Sequence, residues 1–408
     1  MTDKKSILFL NRSFYPDVES TGQLLTELCE ELAYDFDVHV VCGNPLFREV
    51  KNKGWVTRSD YKNITIWRVN NTRFSKKHLL LRLFNLSSYF ILCFFKVLGF
   101  KKVSCVISET DPPLLGIIAF LYSFLRGVPF VYYVQDLFPD VGIVNRNLTH
   151  PLFIFLLKRA NKFLYDRAQR IIVPGRDMKK RLGKENHVPL SKIKVVENWA
   201  DHREIYPVKQ EQNDFFQENF SQDKFVVMYS GNMGLSQDLE NVIDAADLLK
   251  ENRDILFVFI GEGACKKRLT NLSLSRGLKN VRFLTYQDKK SLKFTLGAAR
   301  IHLVPMKKGM GGIIVPSKVY GIMAAGKPYI AALDKQSEVH RITKEFYCGI
   351  HVPPSDVRAL KNAVVWAYRH QPEIEKMGER GRRALEKYYS REICTQKFKN
   401  IIHKICEM

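Results

Sequence analysis

The segment from residue 301 to residue 333, IHLVPMKKGMGGIIVPSKVYGIMAAGKPYIAAL, restricts the fold more than any other part of this chain. Residues 301–304 form an apolar run of strand length, and residues 307–312 place three glycines and two lysines in a loop. Pro316 and Ser317 then open a helix, because proline suits the first helical turn and serine caps it. Residues 319–325 read as the helix body, Gly326 as its stop and 329–333 as the next strand. A helix N-terminus behind a glycine loop presents free N–H groups and the positive end of a dipole, which suits a phosphate. Lys318, in the first turn, adds a mobile cation. The segment thus reads as an anion site built without metal. An ordinary strand–turn–helix whose glycines serve only the turns fits the spacing equally well.

At 408 residues the chain exceeds the size at which a single core keeps growing, so two domains are expected. Its formal charge of +22 points to an anionic partner: nucleic acid, a membrane surface or phosphorylated substrates. Basic and aromatic residues are spread along the chain rather than gathered in a nucleic-acid module, so nucleic acid is not an expected partner. The eight cysteines show no C-x-x-C and no paired spacing, as for buried thiols in a reducing cytoplasm. The N-terminus runs straight into a strand and lacks the long apolar region of a signal peptide. A cytoplasmic protein is the expectation.

Residues 7–10 form a short strand, followed by the loop NRSFYPDVESTGQ, a helix over 24–33 and a second strand over 36–42. Strand, glycine-bearing loop and helix begin a doubly wound α/β domain, with Gly22 in the loop. Asp35-Phe36-Asp37 matches a metal-binding D-x-D pattern but stands at a strand entry, where turn chemistry explains it. Residues 79–100 are the most apolar stretch, bracketed by Lys76, Lys77, Lys101 and Lys102 and interrupted by Arg82 and Lys96. Two readings stay open: an amphipathic segment resting on an anionic membrane surface, or a core-facing helix. Residues 103–107 and 128–134 read as buried parallel strands. Ligands in such sheets bind beyond the strands' carboxyl ends, which brings forward Gln135, Asp136 and Asp140. Asp136 serves equally well as a cap for a following helix. Further strands are expected at 170–174, 225–229, 256–260 and 280–284, and residues 202–223 read as a polar linker.

Five segments in order, PDV-x-STGQ, QDLFPD, NWAD, YSGNMG-x-x-Q and VPSKVYGIMAAGKP, resemble glycosyltransferase family 4, retaining enzymes of the GT-B fold. The form is similar to the subgroup that includes bacterial N-acetyl-L-fucosamine transferases of O-antigen and colanic-acid-type polysaccharide synthesis. The resemblance implies two Rossmann-like α/β domains facing across a cleft. The first, 1–201, would bind acceptor; 202–223 would link; 224–380 would bind the nucleotide-sugar; and 381–408 would cross back as a helix. Donor contacts would come from Gly22, Gly231, Asn232 and Gln237, then from Gly311, Gly312 and Ile313, and then from Pro316, Ser317, Lys318 and Glu338. Asp17, Thr21, Gln135 and Asp140 would lie on the acceptor side. Lys318 would stabilise the departing diphosphate, and Asp136 would contact sugar hydroxyls or help receive the acceptor's proton. No metal or other cofactor is expected. The implied donor is a UDP-N-acetyl-6-deoxyhexose such as UDP-N-acetyl-L-fucosamine. The implied acceptor is a lipid-diphosphate-linked saccharide on the cytoplasmic face of the inner membrane.

The chain also departs from the family. Two glutamates of the motif fall on Ile313 and Gly321, and an arginine and a lysine that clamp the donor pyrophosphate fall on Asn232 and Gln237. An apolar Ile313 would suit the methyl face of a deoxy-sugar, the main chain of residues 309–312 could serve the sugar, and Glu338 could reach the ribose. These losses keep a non-catalytic nucleotide-sugar-binding subunit in view, alongside a GT-B nucleotide-sugar 2-epimerase.

Overall fold

The computed structural model describes residues 4–17, 19–45, 54–72, 74 and 79–407. Lys76 and Lys77 lie outside the described residues. Two compact units emerge: Met1–Pro139 with Leu148–Glu197 and Thr395–Met408, and Asp140–Asn147 with Asn198–Cys394.

The first unit is built on eight strands: β1 (Ser6–Leu10), β2 (Asp37–Cys42), β3 (Val56–Tyr61), β4 (Ile64–Val69), β5 (Cys105–Ser108), β6 (Phe130–Tyr133), β7 (Arg170–Val173) and β8 (Ile193–Val195). Their order is β3-β4-β2-β1-β5-β6-β7-β8, parallel throughout except for the β3/β4 hairpin. Ile7–Leu10 of β1 have no solvent exposure, as a central strand covered on both faces requires. The chain order reverses between β1 and β5, so the loops after these strands border the crevice of a doubly wound sheet. The last helix returns to this unit: Phe398 packs on Phe9 and Tyr133, and Lys399 and His403 each reach Asp35 at 3.1 Å. That pairing occupies one carboxylate of the D-x-D pattern.

The apolar stretch forms the helix Leu79–Leu98, one face of which is a core face. Tyr89, Cys93 and Val97, spaced four apart, are buried, while Phe84, Ile91 and Phe95 face outward. Among the described residues, no helix is long and apolar enough to cross a membrane.

The second unit holds β9 (Phe225–Ser230), β10 (Ile255–Ile260), β11 (Val281–Leu284), β12 (Ile301–Pro305), β13 (Tyr329–Ala332) and β14 (Gly349–Val352). Its order, β11-β10-β9-β12-β13-β14, is wholly parallel and reverses between β9 and β12. The helix Lys318–Ala324 follows β12 and ends in a Schellman arrangement: Lys327 N–H donates to Ile322 O at 3.1 Å, and Gly326, at φ 66°, donates to Met323 O at 3.0 Å.

Three expected boundaries shift. Residues 202–223 are not a free linker, because Phe216 is fully buried within the second unit, and Asn213 caps the helix Asp214–Asn219 by accepting from Phe216 N–H. The short helix Asp140–Val144 belongs with the second unit rather than the first. Residues 381–394 also stay with the second unit, where Arg382 donates to His202 O, Ile205 O and Ala324 O. Only Thr395–Met408 joins the first.

Candidate functional site

The reversal point of the second unit gathers glycines in conformations that side chains avoid. Gly231 follows β9 at φ 133° and Gly261 follows β10 at φ 136°. A Cβ on Gly261 would stand 2.2 Å from the carbonyl oxygen of Gly231, so the two turns touch through bare backbone.

Into this place projects Lys318. Its ammonium lies 3.6 Å from the ring centroid of Tyr229 and 3.3 Å from where a Gly231 Cβ would be. It is buried, has no hydrogen-bond partner, and burial pushes the amine down to about 7. This corrects the expectation of a mobile cation, since the ammonium is held against the Tyr229 ring and the bare backbone of Gly231. A buried amine without a hydrogen-bond partner is costly to maintain, and the ring face of Tyr229 offsets only part of that cost. Tyr229 is held in turn by donating its hydroxyl to Asn232 O at 2.5 Å.

The other donor-side residues divide. Asn232 is exposed, and Gln237 leaves its side-chain oxygen buried and unpaired. Ser317 occupies the N-cap position next to Pro316 but has helical backbone angles and makes no side-chain cap bond, so that expected role is absent. Gly309 and Gly312 have φ 90° and 74°, as the loop demands. The N–H groups of Gly309 and Gly311 are already taken: both donate to Asp334 Oδ2, at 2.8 and 3.0 Å. They do not serve a sugar in this conformation. Ile313 is 1% exposed and offers no face to a deoxy-sugar. At Gly321 a Cβ would meet Leu296 Cδ1 at 3.5 Å, an ordinary contact, so the position has room for a Cβ. Glu338 begins the helix Glu338–Phe346 as expected and is buried, at 1% exposure.

In the first unit the loop after β1 closes on itself. Ser13 donates its hydroxyl to Asp17 Oδ2 at 3.0 Å, and a Cβ on Gly22 would lie 2.4 Å from that hydroxyl oxygen, so Gly22 serves the loop's close approach. Thr21, in the helix Ser20–Leu32, is half-buried. Arg12 bridges Asp111 and Glu19, each at 3.0 Å. After β6, the N–H groups of Gln135 and Asp136 share Thr110 Oγ1 at 3.2 and 3.4 Å. The next helix starts only at Asp140, so Asp136 is not its cap. Asp136 is an exposed residue overall, while protein packed around its carboxyl and the charge of Asp111 push that group up to about 6.

Sequence reasoning passed over Glu109. It is fully buried at the end of β5, accepts from Gln135 Nε2 at 3.4 Å through Oε1, and leaves Oε2 unpaired. Burial pushes this carboxyl well above its usual range. No motif marked it; its only signal was an acid directly following an apolar strand. Among the described residues, no group of three or more His, Cys, Asp or Glu converges as a metal site.

Both sheets reverse their strand order, and ligands of such doubly wound sheets bind at the crevice of the reversal. Residues 21–204 match the family described as Glycosyltransferase Family 4, and residues 210–384 match Glycosyl transferases group 1. The chain is 31% identical over 302 residues to "Probable glycosyltransferase WbjE" of Pseudomonas aeruginosa, covering 73% of this chain and 74% of that protein. It is 24% identical over 374 residues to "Putative colanic acid biosynthesis glycosyl transferase WcaI" of Escherichia coli K12, covering 87% of this chain and 90% of that protein. This chain belongs to the glycosyltransferases of family 4. Solved structures agree on a GT-B fold with two Rossmann-like domains. Sucrose-phosphate synthase from Thermosynechococcus elongatus superposes with a TM-score of 0.79 at 16% identity, over 98% of this chain and 99% of that one. Anabaena Alr3699/HepE in complex with UDP-glucose gives 0.74 at 15% identity, over 98% and 100%.

Proposed function

We propose that the chain transfers a sugar, with retention, from a nucleotide-sugar to a lipid-linked saccharide in surface-polysaccharide synthesis. The observation that carries this is Lys318, a buried ammonium without a hydrogen-bond partner beside the glycine turns of β9 and β10. A diphosphate is the counter-charge such a site lacks. In the transfer, the bond from the sugar's anomeric carbon to the diphosphate breaks and a bond to the acceptor oxygen forms. The acceptor's proton passes to the departing diphosphate, whose charge Lys318 holds. Asp136, largely ionised at neutral pH, is suited to accept a hydrogen bond from a sugar hydroxyl. No metal is assigned a part in this reading. UDP as the nucleotide is supported by the HepE complexes, which hold UDP or UDP-glucose. The N-acetyl-6-deoxyhexose rests on subgroup likeness alone, since Ile313 is buried. Surface-polysaccharide synthesis is supported by the colanic acid assignment in the name of WcaI.

A peripheral membrane location is supported by the first unit's outer helices. Leu79–Leu98, Gly116–Arg126 and Pro151–Arg167 pack side by side. They expose Phe84, Phe95, Phe124, Leu125, Phe153 and Phe155, with Arg126, Lys158 and Arg159 exposed among them. Apolar side chains interleaved with cations suit an anionic lipid surface.

The test is binding and slow hydrolysis of UDP-, GDP- and TDP-sugars by the parent and by Lys318→Met. Release of one nucleoside diphosphate that the variant abolishes is the expected result. Tight binding with no release, even when lipid-linked acceptor is supplied, would favour a binding subunit.

A further inference from the structure

We infer that Asp334 is a positioning residue of the donor site, whose carboxylate clamps the glycine loop leading into Lys318. The inference rests on the donor-site reading above. Asp334 follows β13, is 9% exposed, and uses one oxygen to accept from both Gly309 and Gly311 N–H. The positive φ of Gly309 turns alternate amides toward one point, a geometry that otherwise cradles an anion. Here the protein's own carboxylate fills the cradle.

The clamp is close-packed and anchored at both ends. A Cβ on Gly311 would stand 3.0 Å from Asp334 Cβ, so this approach favours glycine. Met310, between the two donors, is buried, and its carbonyl accepts from Ile313 N–H at 3.0 Å. Lys307 N–H donates to Ser236 O at 2.9 Å, tying the loop's start to the turn after β9. Asp334 is itself fixed, because Ser337 N–H donates to its carbonyl at 3.0 Å and Ser337 caps the following helix through His340 N–H. Strand β13 thus holds the loop through Asp334, and the loop holds the short path from Gly312 to Lys318. A second consequence concerns charge. A phosphate brought to Gly309 and Gly311 would meet Asp334, so the cradle steers the donor's negative groups away from itself and leaves Lys318 as their partner.

Asp334→Ala and Asp334→Asn in the full chain test this, with three readouts: UDP affinity by calorimetry, amide exchange over residues 306–314, and thermal melting. Asp334→Ala is expected to weaken UDP about tenfold and speed exchange at Gly309 and Gly311, since charge-assisted bonds are lost. Sodium formate, a carboxylate able to occupy the emptied cradle, should restore both. Asp334→Asn keeps the shape with a neutral acceptor and should fall between; it also decides the matter if the alanine variant does not fold. Parent-like UDP affinity in the variants overturns the inference, and so does a loss that formate leaves unchanged. If the parent itself binds no UDP, GDP or TDP, the donor-site reading fails instead, and unaltered loop exchange in the variants would then overturn the clamp separately.

Discussion

Proton uptake on nucleotide binding tests the site at Lys318 directly. Without ligand the amine is buried, unpartnered and pushed down to about 7. At pH 8 about nine in ten molecules therefore hold it neutral. A diphosphate oxygen at about 4 Å would attract the ammonium by about 4 kcal/mol at an effective dielectric near 20, equivalent to about three pKa units. That returns the amine to its ordinary range, so binding at pH 8 draws about 0.9 proton from the buffer. Calorimetry of UDP binding in buffers of different ionisation enthalpy reads this number as a slope. Above pH 7 the parent's affinity should fall about tenfold per pH unit. Lys318→Met should show no slope and bind about a hundredfold more weakly. Parent binding without proton uptake, together with parent-like affinity in the variant, would refute the assignment of this amine to the phosphate.

The same residue makes an opposite prediction for stability. Folding lowers its pKa, so between about pH 7 and the ordinary lysine value the unfolded chain holds more protons, and stability rises with pH across that window. Below pH 7 the whole cost is present, about 5 kcal/mol at most for a difference of this size. Lys318→Met should therefore melt higher than the parent at pH 7, with the gap closing towards pH 10. A variant that gains stability as it loses ligand is what a functional site, rather than a structural one, produces.

Asp136→Asn should remove the acid limb of the pH–rate profile, which in the parent falls as pH drops through about 6. Its raised folded pKa also means that the parent loses stability as pH rises through about 6, and the variant should not; melting curves from pH 4 to 7 check this. Glu338→Gln should lower stability by about 1–3 kcal/mol, because the carboxylate is buried, while UDP affinity stays within about twofold. Unchanged melting with a large affinity loss would instead place Glu338 on the ligand. Phe95→Ser with Phe155→Ser should weaken binding to phosphatidylglycerol vesicles by at least about tenfold, since burying each ring is worth about 1.5–3 kcal/mol. Flotation against phosphatidylcholine vesicles separates the charge contribution.

The sheet strands were legible because buried parallel strands are short apolar runs, and 301–304 and 225–229 needed no context beyond their turns. The β3/β4 hairpin was not. Arg58, Ser59 and Asp60 are exposed, so β3 lacks alternation, and its turn uses Lys62 and Asn63 at φ 46° and 63° instead of glycine. Residues 202–223 misled by composition, since Phe215, Phe216 and Phe220 carry the packing among many polar neighbours. The exchange of 140–147 and 395–408 between units is a non-local fact that no local pattern encodes. At the site, the spacing that names Lys318 says nothing of its burial, which depends on Tyr229 ninety residues earlier. Asp334 and Glu109 belong to no motif, and their places beside Gly309 and Gln135 follow from the pairing of neighbouring strands.

On the proposed donor-site reading, burial of Lys318 would also account for neutral Asn232 and Gln237 standing where the family resemblance implies charged groups on the pyrophosphate. Two exposed cations would bind diphosphate at any working pH and would have to release it against the same attraction. An amine near 7 gains most of its charge as the diphosphate arrives and sheds the proton once it leaves. The attraction is then largely created by the ligand, and the empty site is only weakly attractive to free phosphate. Long-range gathering of anions falls instead to the overall charge of +22, spread over the surface where salt screens it. The two functions respond differently to conditions: raising ionic strength should slow association, whereas raising pH from 7 to 9 should mainly speed dissociation. Stopped-flow measurement of UDP binding resolves both rates, and a dissociation rate independent of pH would show that the charge at this site is fixed.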